Sequence, residues 1–153
     1  MLSTIIRITD MKDFFISYNS ADKARAEWIA WQLEEAGHTT IIQAWDFGPG
    51  QNFVLAMQKA ATEAKRTIAV LSPDYLAAKF TSPEWAAAFV QDPTGEKKLF
   101  LPIRVRPVEL TGLLKPIVYI DLVGCNEGEA ANRLLDGITD KRNKPATKPP
   151  FKP

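Results

Sequence analysis

The chain has 153 residues, 46% of them hydrophobic and 24% charged, which fits one ordinary globular domain in the range of ~100–200 residues. Its one cysteine (Cys125) and one histidine (His38) exclude an internal disulfide framework and fall short of the ligand sets of zinc sites. The formal net charge of +1 divides into 14 basic against 18 acidic residues over 1–140 and five basic residues with no acidic one from Lys141 onward; the acidic part lacks the basic stripe of a nucleic-acid-binding domain.

Residues 1–11 read as a lead-in. Met1–Arg7 has no charged region followed by an apolar one, as a signal peptide would. No segment reaches the ~18 consecutive apolar residues of a membrane helix. A cytoplasmic protein with no membrane partner is the expectation. Asp13–Tyr18 then predicts a strand apolar on both faces, as buried parallel strands are. A helix follows from about Asp22 to Ala36, with Gly37 at its C′ position. Ala26, Ile29, Ala30, Leu33 and Ala36 form its core face. Thr39–Ala44 is rich in β-branched residues and predicts a second strand, and Trp45–Gly50 a loop.

A second helix, about Asn52 to Ala64, places Phe53, Met57, Ala60, Ala61 and Ala64 on one face. Thr67–Leu71 is the third strand, closed by Ser72-Pro73. Two short helical pieces come next, about Asp74 to Lys79 and then from Pro83, a residue favoured at a first helical position, to about Val90. Leu99–Ile103 and Ile117–Ile120 are the last strands, and Glu127 to Gly137 the last helix. Strands alternating with helices argue for a parallel sheet covered on both faces. Right-handed crossovers favour a flavodoxin-like α/β fold with strand order 2-1-3-4-5, over residues 12–140. Residues 141–153, rich in Pro and Lys, predict a semi-rigid tether to a further domain; Pro150 and Pro153 have the PxxP spacing of an SH3-type ligand as the other option.

Ligands of such sheets bind outside the carboxyl ends of the strands, here Ser17–Asn19, Trp45–Phe47, Ser72–Asp74 and Gly124-Cys125. No GxGxxG follows the first strand, no Gly-Lys-Ser/Thr follows Gly48-Pro49-Gly50, and there is no G-x-S-x-G elbow. The acidic pair and strand-ending Asp of a phospho-receiver are also missing. What remains is a Ser/Tyr/Asn edge, an aromatic loop and an acid, Glu84, after the third strand.

Three segments in this order carry a resemblance. Lys12-Asp13-Phe14-Phe15-Ile16-Ser17-Tyr18 resembles the first box of the Toll/interleukin-receptor (TIR) domain family. Asp46-Phe47-Gly48-Pro49-Gly50 stands where that family has its acidic, Pro-Gly-containing BB loop. Leu71-Ser72-Pro73-Asp74-Tyr75-Leu76, followed by Phe80 and Glu84, is similar to its Leu-Ser-Pro segment and following helix. The similarity spans roughly 12–138. TIR domains divide into adaptors that bind other TIR domains and enzymes, including a bacterial-type branch, that cleave NAD+. In the enzymes a glutamate four residues after an aromatic is catalytic, so the resemblance implies that role for Glu84, with Phe80 where the family more often has Trp. It implies NAD+ as substrate, no cofactor, and activity on self-association.

The chemistry suits a lone carboxylate. Nicotinamide in NAD+ is already a cationic leaving group and needs no general acid. An adjacent carboxylate can stabilise the oxocarbenium-like ribose and hold its hydroxyls. Capture by water gives ADP-ribose; capture by an internal nucleophile gives a cyclic isomer. The residue-level alternative is that Glu84 is an acid favoured by a helix N-terminus. Ser17, Tyr18 and Asn19 are candidates for lining the substrate cleft, or else cap and turn residues; Trp45, Asp46 and Phe47 for covering the ligand, or else packing; Phe80 for packing beside it. His38, at a helix end, and Cys125 read as non-catalytic. At ~100° per residue Trp28 and Trp31 point about 160° from the core face of their helix. They are candidates for an interface, unless a neighbouring element buries them.

Overall fold

The computed structural model describes residues 10–79, 99–112, 115–139, 142 and 144–152. Its first strand, β1 (Lys12–Ser17), alternates between two cores, as successive strand side chains must. Phe14 and Ile16 enter one and Phe15 the other. A single 3-10 turn, Ser20–Asp22, leads into α1 (Lys23–Glu35). That helix ends as its Gly37 predicts: φ is +95° there, Gly37 N donates to Glu34 O at 3.0 Å and His38 N to Leu33 O at 3.0 Å, the paired bonds of a Schellman motif.

β2 (Thr40–Ile42) is shorter than the expected strand over Thr39–Ala44, and the expected loop opens with a helical turn, α2 (Gln43–Asp46). Asp46 Oδ2 accepts from Ile42 N at 2.7 Å on the free edge of β2, a side-chain-to-backbone bond that closes the turn following the strand. α3 (Phe53–Glu63) is capped by Asn52, whose Oδ1 accepts from Leu55 N at 3.1 Å, and runs directly into β3 (Ala64–Leu71). α4 (Pro73–Lys79) follows, then β4 (Phe100–Arg104), β5 (Ile120–Asp121) and α5 (Glu127–Ile138). Asn126 caps α5 by accepting from Glu129 N at 2.9 Å. Phe80, Glu84 and the expected helix of residues 83–90 lie outside the described residues.

The five strands are parallel in the order β2-β1-β3-β4-β5, the flavodoxin-like arrangement expected. One face carries Phe14, Ile16, Ile42, Ile68, Val70, Leu101 and Ile103 against Ala26, Ile29, Ala30 and Leu33 of α1 and Leu134 and Ile138 of α5. The other packs Phe15 and Ile41 on Met57 and Ala60 of α3, and Ala69 and Leu71 on Tyr75 of α4. Arg104 Nη2 meets Asp121 Oδ2 at 2.8 Å and Nε meets Oδ1 at 3.1 Å. This two-point bond fixes β5 at Ile120–Asp121 rather than at the expected Ile117–Ile120, where Val118 is exposed.

Expectations for four further residues are corrected. Ala36 is exposed because the Schellman turn carries it off the core face, and Phe53 is exposed at the first turn of α3. Ala64 is buried, but as the first residue of β3. Trp28 is partly buried and packs on the α1 core, its Nε1 donating to Glu127 Oε1 at 3.3 Å. For Trp28 the alternative of burial by a neighbouring element holds: α5 lies beside α1 and covers the side chain. Trp31 stays 63% exposed. Among the described residues no helix is long and apolar enough to cross a membrane.

Candidate functional site

The strands point their carboxyl ends to one edge, and a polar cluster from three segments closes it. At its centre Asp22 is 0% exposed. Although Asp22 precedes α1, it makes no side-chain cap bond to that helix. Its carboxylate instead crosses to other segments: Oδ2 accepts from Ser72 Oγ at 2.5 Å, and Arg106 donates through Nε to Oδ1 at 2.7 Å and through Nη2 to Oδ2 at 3.2 Å. Arg25 Nη1 lies 3.8 Å from Oδ1. Burial opposes ionisation of Asp22, but hydrogen bonds from Arg106 and Ser72 and the charges of Arg106 and Arg25 outweigh it, holding the carboxyl below its ordinary value.

Ser72 and Tyr75 connect this cluster to the start of α4 and to β1. Ser72 Oγ accepts from Tyr75 N at 3.1 Å, the bond of an N-cap serine ahead of proline at the first helical position. The Tyr75 hydroxyl is 3.1 Å from Ser17 Oγ, and both side chains are buried. Arg106 Nη2 also donates to Asp74 on the exposed side of α4. Its hydrogen bonds to Asp22 and Asp74 hold the guanidinium charge firmly, raising its pKa above the ordinary arginine value.

The expected site residues divide accordingly. Ser17 and Asn19 stand at this edge. Asn19 Oδ1 accepts from Ala21 N at 2.9 Å and its carbonyl from Asp22 N at 2.8 Å, so Asn19 caps and turns. Tyr18 is 8% exposed, with its ring inside the first core rather than on an open wall. Burial, chiefly, raises its hydroxyl pKa; a hydrogen bond with the Ala44 backbone works against this and the Glu27 charge adds to it.

Trp45, Asp46 and Phe47 follow β2 at the same edge, but the hydrogen bonds and packing of their side chains lie outside the Asp22 cluster. Trp45 Nε1 donates to Glu27 Oε2 on α1 at 2.8 Å. Asp46 turns back on Ile42. Phe47 packs on the α3 core and meets Phe53 edge-on at 6.3 Å. His38 stands at the opposite, amino end of β1, edge-on to Phe14 at 5.5 Å, with Nδ1 3.9 Å from Asp13 Oδ2. Cys125 Sγ is 3.9 Å from the Asp121 carbonyl. No group of three or more potential metal ligands occurs among the described residues.

Sequence reasoning missed Asp22, Tyr75 and Arg106. The inspection of strand ends passed over the end of the fourth strand, and an arginine two residues beyond an apolar strand was the available signal there. Nothing local pairs Arg106 with an aspartate 84 positions away.

The sequence profile of the TIR domain matches residues 14–135. No curated protein matches. Among solved structures, the TIR domain of the Toll-related Receptor TRR-2 from Hydra magnipapillata is 24% identical, with a TM-score of 0.64, covering 82% of this chain and 94% of that one. A metazoan TIR-STING receptor from C. gigas is 22% identical with a TM-score of 0.68; the match covers 89% of this chain but only 43% of the receptor. The TIR domains of the activated Roq1 resistosome, which directly recognizes the pathogen effector XopQ, are 16% identical with a TM-score of 0.67 over 84% of this chain and 99% of that one. At these identities the likeness establishes the fold.

Proposed function

The chain belongs to the TIR domain family, and on that premise we propose that it is an NAD+ nucleosidase active on self-association. It breaks the bond between ribose C1′ and the nicotinamide nitrogen. The bonding pair leaves with neutral nicotinamide, and water adds to C1′ with loss of a proton, giving ADP-ribose; a nucleophile within the substrate gives a cyclic isomer instead. Glu84 is the carboxylate that faces the developing positive charge, and no cofactor is required. The observation carrying this reading is the Leu71-Ser72-Pro73 segment. It ends β3 at the carboxyl edge, donates from Ser72 Oγ to Asp22 ahead of α1, and begins the helix whose Tyr75 hydroxyl meets Ser17 of β1 and after which Phe80 and Glu84 follow in sequence.

Incubating concentrated or artificially clustered protein with NAD+ and following free nicotinamide tests the proposal. Turnover by the wild type and its loss in Glu84→Ala are expected; turnover unchanged in Glu84→Ala overturns the mechanism. For self-association, exposed Trp31 is the candidate contact. Glu27 lies one helical turn before it and holds Trp45, itself 42% exposed, so two tryptophans flank one α1 carboxylate. Trp31→Ala weakens self-association, read by sedimentation, without changing the melting temperature, whereas Trp28→Ala lowers that temperature.

The second reading is a non-enzymatic adaptor recruiting TIR domains through the Asp46–Gly50 loop. It is favoured by Phe53, Val54 and Leu55, three consecutive exposed apolar residues just beyond that loop. Absence of nicotinamide release from clustered wild type selects it. In either reading the domain serves signalling or defence within a longer, bacterial-type intracellular protein, with residues 141–153 as its tether.

A further inference from the structure

Arg106 is engaged by two carboxylates. Its Nε and Nη2 serve Asp22 and Nη2 also serves Asp74. The cluster holds two aspartates against Arg106 and Arg25, so it presents no net positive charge to an anionic ligand. Its bonds run toward the candidate substrate edge by two routes. Through Asp22 Oδ2 and Ser72 Oγ they reach Tyr75 N, and the Tyr75 hydroxyl then meets Ser17. Through the Asp22 backbone they reach the Asn19 carbonyl. Both ends of the Ser17–Asn19 turn are therefore tied to one guanidinium.

We infer that Arg106 is a positioning residue of the candidate site: it clips buried Asp22 to Asp74 on α4 and so sets the Ser17–Asn19 edge against the start of that helix. The inference rests on the reading that this edge receives NAD+. A planar guanidinium can hold two carboxylates in fixed relative geometry; a lysine ammonium is a point charge on a flexible stem and cannot. The Asp74 arm offers a clean cut, because its side chain is half exposed and its removal leaves the Arg106–Asp22 pair intact.

The test compares wild type, Asp74→Ala, Asp74→Glu and Arg106→Lys for nicotinamide release and thermal melting. Asp74→Ala and Arg106→Lys are expected to raise KM for NAD+ about tenfold, since small misplacements of positioning groups are costly, with kcat little changed. Asp74→Glu, which restores the arm, returns KM toward wild type. An active wild type with an unchanged KM in Asp74→Ala overturns the inference while leaving the nucleosidase reading intact. A clustered wild type that releases no nicotinamide overturns the nucleosidase reading instead. In that event NAD+ titrations followed at the backbone amides of residues 17–19 and 72–75 decide the inference. Wild-type shifts that need about tenfold more NAD+ in Asp74→Ala support it, and no wild-type shift at these amides, or equal titration by both proteins, overturns it.

Discussion

At the carboxyl edge of the sheet Asp22 is fully buried and held by an arginine and a serine from two distant segments. At the amino edge Asp13 keeps 30% of its side chain in solvent. It is held mainly by Thr39, accepting from its backbone N at 2.9 Å and its hydroxyl at 3.2 Å, while Thr39 Oγ1 accepts from Asp13 N at 2.8 Å. Lys65 and His38 stand at 3.4 and 3.9 Å. Both carboxyls fall below their ordinary value, in each case with burial opposing and hydrogen bonds prevailing. The dependence differs. Asp13 needs a local reciprocal bond and can fall back on water, whereas Asp22 loses its main partner if a single guanidinium goes, keeping only Ser72 and the more distant Arg25. A buried charge that is exposed to failure in this way is a weak means of gaining stability, and its presence at the edge where parallel sheets bind ligands fits a role in fixing geometry.

The largest effect expected from breaking this contrast is Arg106→Gln, which leaves Asp22 buried without its main partner. Its melting temperature falls by about 10 °C or more, read by circular dichroism. Next is Gly137→Ala on α5, where an added Cβ runs into the Ile120 side chain. Overpacking of this kind costs about 1–3 kcal/mol in denaturant titrations, and a neutral result would show that the two-residue β5 yields freely. Asp13→Ala ranks lower, at about 1 kcal/mol, the ordinary net worth of a hydrogen bond.

Acid titration sharpens the comparison further. A carboxyl with a folded pKa below its unfolded value, about 3.9 for aspartate, contributes stability that is complete above that value and is lost as pH falls through the folded one. Below about pH 4 the stability of the wild type therefore declines with falling pH. Asp22→Asn flattens that decline, with Arg106, Arg25 and Asp74 as the charges facing the site, and Asp13→Ala flattens it less. Equal flattening by the two variants would remove the distinction between the edges.

Local patterns made much of this legible. The two-faced apolar run over Phe14–Ile16, the 3.6-residue spacing of Ala26, Ile29, Ala30 and Leu33, and Gly37 as helix terminator all act within one turn or one strand. What escaped depended on partners distant in sequence: Arg104 choosing Asp121 over the more apolar Ile117–Ile120, and α5 deciding between the two readings of Trp28 by covering it. The carboxyl-edge cluster is the extreme case. Ser72 and Asp74 were visible as strand-end residues, but the partnership with Asp22 and Arg106 exists only once β3 and β4 are side by side.

Pro102 sits inside β4 in register with Ala69 of β3 and has no N–H to give to either neighbour, while β5 beyond it contributes only two residues. That side of the sheet is thus the natural place for local opening, with β1 and β3 releasing last. Arg106 follows β4 by two residues, so a fluctuation that frees β4 also withdraws the guanidinium from Asp22. The candidate site then comes apart from one side, before the core beneath it does.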